Sequence, residues 1–467
     1  MEAITTLHEK IAGVTTNTPS QSSGTHLPLH ATAPPRAPTT ADKVIQFFQV
    51  REPGESGRRG IHPWHFLRIT LRSSNRISRV VNVLWPVVPA AIAVRYAMQD
   101  NHLVIFILSY LAMVPCANLL GFAGQELSRK VPHVLGVLVE TTLGSLVEIT
   151  LFMVLITRSG ADGINYIQVI KAAILGSILA TMLLCLGLCF IVGGLRREES
   201  SFDEAVSEVG TGLLLTAGFG LAIPTVFAHS LKNRPGLDDA ALSEKVLDIS
   251  RSSAILLMLS YLIFVFFQSR SHHSIYETIF VTEEARDTDE HLERQHHRLT
   301  FSEVILALAL SIALVAVMAV VLVDQIHFLV VERHVSDAFV GLILVPLVEK
   351  AAEHLTAIDE AWDDQMNFAL SHVLGATLQT ALFNGPLVVV VGWGLGKPMG
   401  LDFEVFDLAV LLLAILTVGN FLRDQKSNYL EGALCVIVYV AIAVAALYYP
   451  NPPHGEAVVG DAGGGGH

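Results

Sequence analysis

The chain has 467 residues, 52% of them hydrophobic and only 16% charged, with a formal net charge of −13. Soluble domains carry roughly a quarter charged residues, and apolar blocks of the length found here exceed what one soluble core can bury, so an ordinary soluble protein is excluded. The acidic balance excludes nucleic acid as a partner, and Cys116, Cys185, Cys189 and Cys435, all inside apolar blocks, form neither a disulfide frame nor a CxxC pair.

Residues 1–79 open with a Ser-, Thr-, Pro- and His-rich stretch without an apolar run of signal-peptide length, and are expected to be a disordered cytosolic region. A bilayer span needs about 20 mostly apolar residues. The first such block lies near 80–98. Five more follow over 102–269, near 102–122, 134–157, 166–194, 209–229 and 251–269, the block at 166–194 being long enough to tilt or bend. A polar linker over 270–300 comes next: with Glu277, the segment from Glu283 to Arg298 holds seven carboxylates and Glu290/Arg294 at i,i+4 spacing, which predicts a short charged helix. It reads either as a solvated connector or as a surface that gathers divalent cations. A second set of five blocks fills 301–448, near 301–324, 335–357, 366–392, 403–421 and 428–448, and residues 449–467 read as a disordered tail. The expected fold is an all-α polytopic membrane protein of about eleven transmembrane helices.

Arg58, Arg59, Arg68, Arg72, Arg76 and Arg79 precede the first block and place the N-terminus in the cytosol. With eleven spans, the loops holding Arg129/Lys130, Arg196/Arg197 and Arg423/Lys426, and the acidic linker, fall on the same side.

Ionisable residues inside a span are costly and mark function. The third span carries Glu140 and Glu148 in ETTLGSLVEITLF; the eighth carries Glu349, Lys350, Glu353 and His354 in LVPLVEKAAEHLTA. Each is followed by a small-residue patch, Ala173 to Thr181 and His372 to Thr380. The unit is therefore repeated. Because the third and eighth spans are five apart, the two copies cross in opposite directions, giving one extra N-terminal helix plus two inverted five-helix repeats with a site near the midplane. Gly144, Gly176 and Gly375 allow close helix approach. Two carboxylates with hydroxyl and backbone oxygens suit a hard cation, and protons can replace that cation, so exchange follows from competition.

Several motifs in this order resemble the CAX-type cation/proton exchangers of the calcium:cation antiporter superfamily over about 80–448: AAEH (Ala351 to His354), Gly144 four before Glu148, LGS (Leu175 to Ser177), QTALF (Gln379 to Phe383) and GGLRREE (Gly193 to Glu199). The resemblance implies export of cytosolic calcium into a vacuole-like or other endomembrane lumen against protons. It also implies Glu148 and Glu353 as the cation and proton carriers and the metal-binding pair, Ser177 and Gln379 lining the site, and His354 in support. Gly144, Ser145, Thr181, Lys350 and Thr377 complete the expected lining, and Glu140 and Glu349 are accessory acids. No cofactor is implied; calcium or another cation is substrate, a lipid bilayer surrounds the chain, and a homo-oligomer is left open.

The chain departs from the family pattern. Ser145 and Lys350 stand at the two site asparagines, Glu349 at a glycine, and Glu140 where an amide is usual. Lys350, three residues before Glu353, can act as a tethered cation, or can point away and pair with Glu349. A monovalent cation/proton exchanger and a transport-impaired membrane regulator are therefore the alternatives to calcium exchange. A membrane peptidase is not, because the first histidine of H-x-x-E-H is Lys350 here.

Overall fold

A computed structural model describes residues 60–73, 76–131, 133–160, 166–232, 238–284, 286 and 298–450. Among them, ten helices are long and apolar enough to cross a membrane: Ser78–Ala97, His102–Ser128, Val134–Arg158, Ile167–Arg196, Glu204–Leu231, Asp239–Ser271, Phe301–Glu332, Met366–Gly394, Val405–Asp424 and Tyr429–Leu447. The eighth expected span is the exception. It runs from residue 337 to a break at Lys350 and continues as helix Ala351–Trp362. Its buried charges and irregular turns are why it fails a test of length and hydropathy, although it occupies its place in the bundle. Counting it gives eleven crossings, as the sequence predicts.

Contacts between loops check that count independently. The two-residue strands Ser200–Ser201 and Lys426–Ser427 pair antiparallel, Arg197 pairs with Asp364 at 3.1 Å, and Leu299 N–H donates to Glu126. The five loops involved all fall on the N-terminal face if there are eleven spans. On the opposite face, Lys171 pairs with Asp402 at 2.8 Å and Arg95 with Asp324 at 2.9 Å. Without the eighth crossing, the Ser200–Ser427, Arg197–Asp364 and Lys171–Asp402 partners would lie on opposite sides of the bilayer.

Spans form because a helix satisfies its backbone polar groups without water. Lipid-facing positions keep large apolar side chains exposed, among them Leu256, Leu262 and Phe266 of the sixth span and Leu413 and Ile437 of the tenth and eleventh. The fourth and ninth spans lie innermost: 67% and 78% of their apolar windows are buried inside the protein. They carry the two small-residue patches, so the repeat places its polar groups at the centre of the bundle.

The N-terminal region differs from the expected disorder through residue 79. Helix Pro63–Arg72 begins with a proline in its first turn, where no backbone donor is lost, and the first span starts at Ser78. Glu303, at the N-terminus of the seventh span, accepts from His62 N–H at 3.1 Å and closes a capping box with Thr300. This tie orders residues that composition alone leaves unstructured.

Most of the acidic linker, with its expected charged helix, lies outside the described residues. What precedes it is a helix, His273–Glu284, packed on the third and ninth spans, with Phe280 stacked on Phe368. The Glu283 side chain is buried, accepts from Asn367 N–H at 3.0 Å and pairs with Arg286. Glu283→Ala is expected to remove about 1–3 kcal/mol of docking energy. Limited trypsin digestion should then cut at Arg286 and the following linker arginines several-fold faster.

Candidate cation and proton site

The third and eighth spans are each interrupted at one residue. Ser145 (φ −72, ψ −6) separates His133–Gly144 from Leu146–Arg158, and Lys350 (φ −92, ψ −1) precedes Ala351–Trp362. Glu148 and Glu353 thereby sit in the first turns of two new half-helices. A helix N-terminus carries positive partial charge and unpaired N–H groups, which favour carboxylates there. The fourth and ninth spans contain π-helical stretches at Ala180–Cys185 and Thr380–Asn384, equivalent places in the two repeats. Such stretches re-aim side chains toward sites.

Glu148 is fully buried and well supplied with donors. Thr380 Oγ1 donates to its two oxygens at 3.0 and 2.8 Å, and Asn384 Nδ2 donates to Oε2 at 2.7 Å. Gln379 Nε2 donates to Ser145 Oγ at 2.7 Å, and Ser145 donates to the Thr142 carbonyl at 2.9 Å. Glu353 is less constrained. Lys350 is its one polar partner among the described contacts, and 15% of its side chain is exposed although both oxygens are buried. Cys185 stands where Asn384 stands in the other repeat, so the second glutamate lacks an amide partner.

Lys350 lies between the two glutamates. Its ammonium is 2.8 Å from Glu148 Oε2 and 3.1 Å from Glu353 Oε2, and its side chain is 1% exposed. Both contacts are buried ion pairs. Of the two orientations the sequence allowed, the structure has the inward one. Glu349 is also buried, with Ser177 beside its carboxyl. Among the described residues, no three His, Cys, Asp or Glu side chains converge as a metal-ligand set.

The other expected lining residues divide. His354 Nε2 is 3.4 Å from Thr181 Oγ1 at the edge of the site. Thr377 turns back onto the Val373 carbonyl of its own helix at 2.6 Å and is not brought to the carboxylates. Glu140 is likewise apart from Glu148; its Oε2 is 3.3 Å from Ser128 Oγ and 3.8 Å from His372 Nε2. His372 Nδ1 in turn meets Glu360 at 2.7 Å. Sequence reasoning missed Thr380, Asn384, Glu360 and His372. The available signals were an asparagine inside the apolar run of the ninth span and a histidine within its small-residue patch.

A cleft lined by Gly121, Glu140, Gly144, Thr181, Glu353 and His372 reaches the Glu353 side chain, while both of its carboxylate oxygens stay buried. On the opposite side, a methyl at Gly176 would strike the Leu342 carbonyl, and one at Gly341 would stand 2.6 Å from Ala172 Cβ and 2.7 Å from Val169 O. In the other repeat, Gly375 meets nothing closer than Thr141 at 3.6 Å. The fourth and eighth spans are thus clamped together where the ninth and third are loose. Gly176→Val is expected to force that clamp open and cost about 1–3 kcal/mol, read as a lower thermal unfolding midpoint in detergent.

The family model for the sodium/calcium exchanger protein matches residues 101–270 and 303–448, more than half of the chain. The chain belongs to this family. It is 30% identical over 383 residues to the vacuolar calcium ion transporter of Schizosaccharomyces pombe, covering 82% of this chain and 88% of that one. It is 33% identical to vacuolar cation/proton exchanger 5 of Arabidopsis thaliana, covering 82% of this chain and 84% of that protein. The crystal structure of the Ca2+/H+ antiporter protein YfkE superposes with a TM-score of 0.63 at 25% identity, over 80% of this chain and all of that one. The sodium/calcium exchanger family is one of transporters, and this member keeps both glutamates while placing a lysine between them.

Proposed function

We propose that the chain is a secondary active antiporter that moves calcium out of the cytosol into an acidic organelle, a vacuole or related compartment, in exchange for protons. The observation that carries this reading is the pair of buried glutamates on opposed half-helices, with a cleft reaching one of them. A carrier needs carboxylates that either a cation or protons can neutralise, and a site reached from one side at a time. Glu148 is the fixed ligand, held by Thr380 and Asn384; Glu353 is the less constrained one, lining the cleft. Calcium is the substrate by similarity to relatives named as calcium transporters and cation/proton exchangers. The arginine-rich segments before the first span make the cleft side cytosolic.

The test is radioactive calcium uptake into vesicles with an acidic lumen. Uptake that collapses with the pH gradient supports the reading, and no movement of any cation under that gradient would overturn it. A monovalent exchanger is the second reading. Lys350 favours it by cancelling one negative charge between the glutamates, and potassium or sodium competition in the same vesicles separates the two.

A further inference from the structure

We propose that Lys350 is a tethered cation that fills the substrate position of the empty carrier, and that Glu349 restores the charge Lys350 cancels, so that the site still offers two net negative charges to a divalent ion. This deepens the reading above and rests on it.

Three observations support the pairing. The Lys350 ammonium touches one oxygen of each glutamate, at 2.8 and 3.1 Å, which is where an ion shared by both carboxylates must sit. Its side chain is 1% exposed and, among the described residues, it has ion pairs with these two carboxylates alone, so an incoming cation competes with it for the same oxygens. Its neighbour Glu349 is buried in the same span, next to Lys350, with Ser177 as its neutral neighbour. A buried carboxyl is expensive and needs a reason to persist.

The charge count supplies that reason. Glu148, Glu349 and Glu353 against Lys350 give a net charge of −2 when all four are ionised. Two glutamates alone would give the same. Lys350 without Glu349 would leave −1, which one monovalent ion or one proton neutralises. The pair is therefore a neutral insertion: it leaves the electrostatic demand for a divalent cation, and adds a competitor that must move aside before calcium can bridge the glutamates. The four-carbon stem is flexible enough for the ammonium to swing toward the cleft that Glu353 lines. The tethered ion sets the affinity, and the added carboxylate sets the valence.

Purified protein in acid-loaded proteoliposomes tests both parts, with calcium uptake and internal proton release read together. K350M/E349Q keeps the −2 charge and removes the competitor; half-saturating calcium is expected to fall at least about tenfold, since a bound counter-charge at this range is worth more than that factor. E349Q alone leaves −1, and is expected to lose calcium-evoked proton release at least about tenfold and to gain release evoked by potassium. Calcium-dependent thermal stabilisation of each variant in detergent reports binding where transport is lost, and size-exclusion profiles report folding. E349Q with wild-type calcium preference, or K350M/E349Q with unchanged half-saturation, would overturn the proposal. E148Q separates the two levels. If E148Q is inactive while K350M/E349Q behaves as wild type, this inference alone falls; if E148Q transports normally, the site assignment itself falls. A wild type without calcium uptake whose double variant gains it supports the plug. A double variant with neither uptake nor calcium-dependent stabilisation overturns it.

Discussion

Glu148→Gln is expected to lower proton-driven cation uptake by at least about a hundredfold, because glutamine fits the space but cannot carry the charge. A hundredfold loss is about 2.8 kcal/mol. Two unit charges near 3 Å at an effective dielectric of about 20 interact by roughly 5 kcal/mol, so that loss is a floor. Glu353→Gln should abolish uptake equally, since an ion bridging both glutamates needs both. The two variants should differ in stability. Glu148 is the nearer partner of a lysine that is 1% exposed, and losing it leaves that ammonium with Glu353 alone. Glu353 has no counterpart to the Thr380 and Asn384 donors, and its side chain is 15% exposed. Thermal unfolding in detergent should therefore show a clear drop for Glu148→Gln and a smaller one for Glu353→Gln. Equal drops would mean that the asymmetry of the two sites has no energetic weight.

Asn384→Leu carries the second large effect. Its amide donates to Glu148 Oε2 at 2.7 Å, the oxygen that also faces Lys350. Hydrogen bonds to a charged group are worth about 1.5–3 kcal/mol, so half-saturating cation should rise between about tenfold and a hundredfold. Thr380→Val removes the hydroxyl that reaches both oxygens, and should fall at the lower end of that range because Asn384 remains. Uptake titrated against calcium at fixed pH gradient checks both. An unchanged half-saturation for Asn384→Leu would exclude Glu148 from the bound state.

The architecture was legible because bilayer physics writes itself into composition. Runs of about 20 apolar residues gave the spans, arginine placement gave a parity that the loop contacts support, and costly intramembrane charges pointed to the third and eighth spans. The interruption at Lys350 hid the eighth span from a test of length and hydropathy, yet it is that interruption which turns Glu353 onto a helix N-terminus. The N-terminal helix was illegible for a different reason. Its order depends on Glu303, more than two hundred residues away, and composition cannot encode a distant partner.

Sequence by itself determined that two glutamates lie in opposed repeats and that a lysine and a third acid accompany one of them. Only the tertiary structure decided where that lysine points. Three-residue spacing lets Lys350 reach Glu353, but reaching Glu148 as well requires the two half-helices to meet across the bundle. It also decided that Glu148 is held by Thr380 and Asn384 while Glu353 lines a cleft without such donors, because π-helical turns in the inner spans set where those donors aim. Helical periodicity assumes a regular turn. At this site the turns are irregular, and the side chains that matter follow the irregularity.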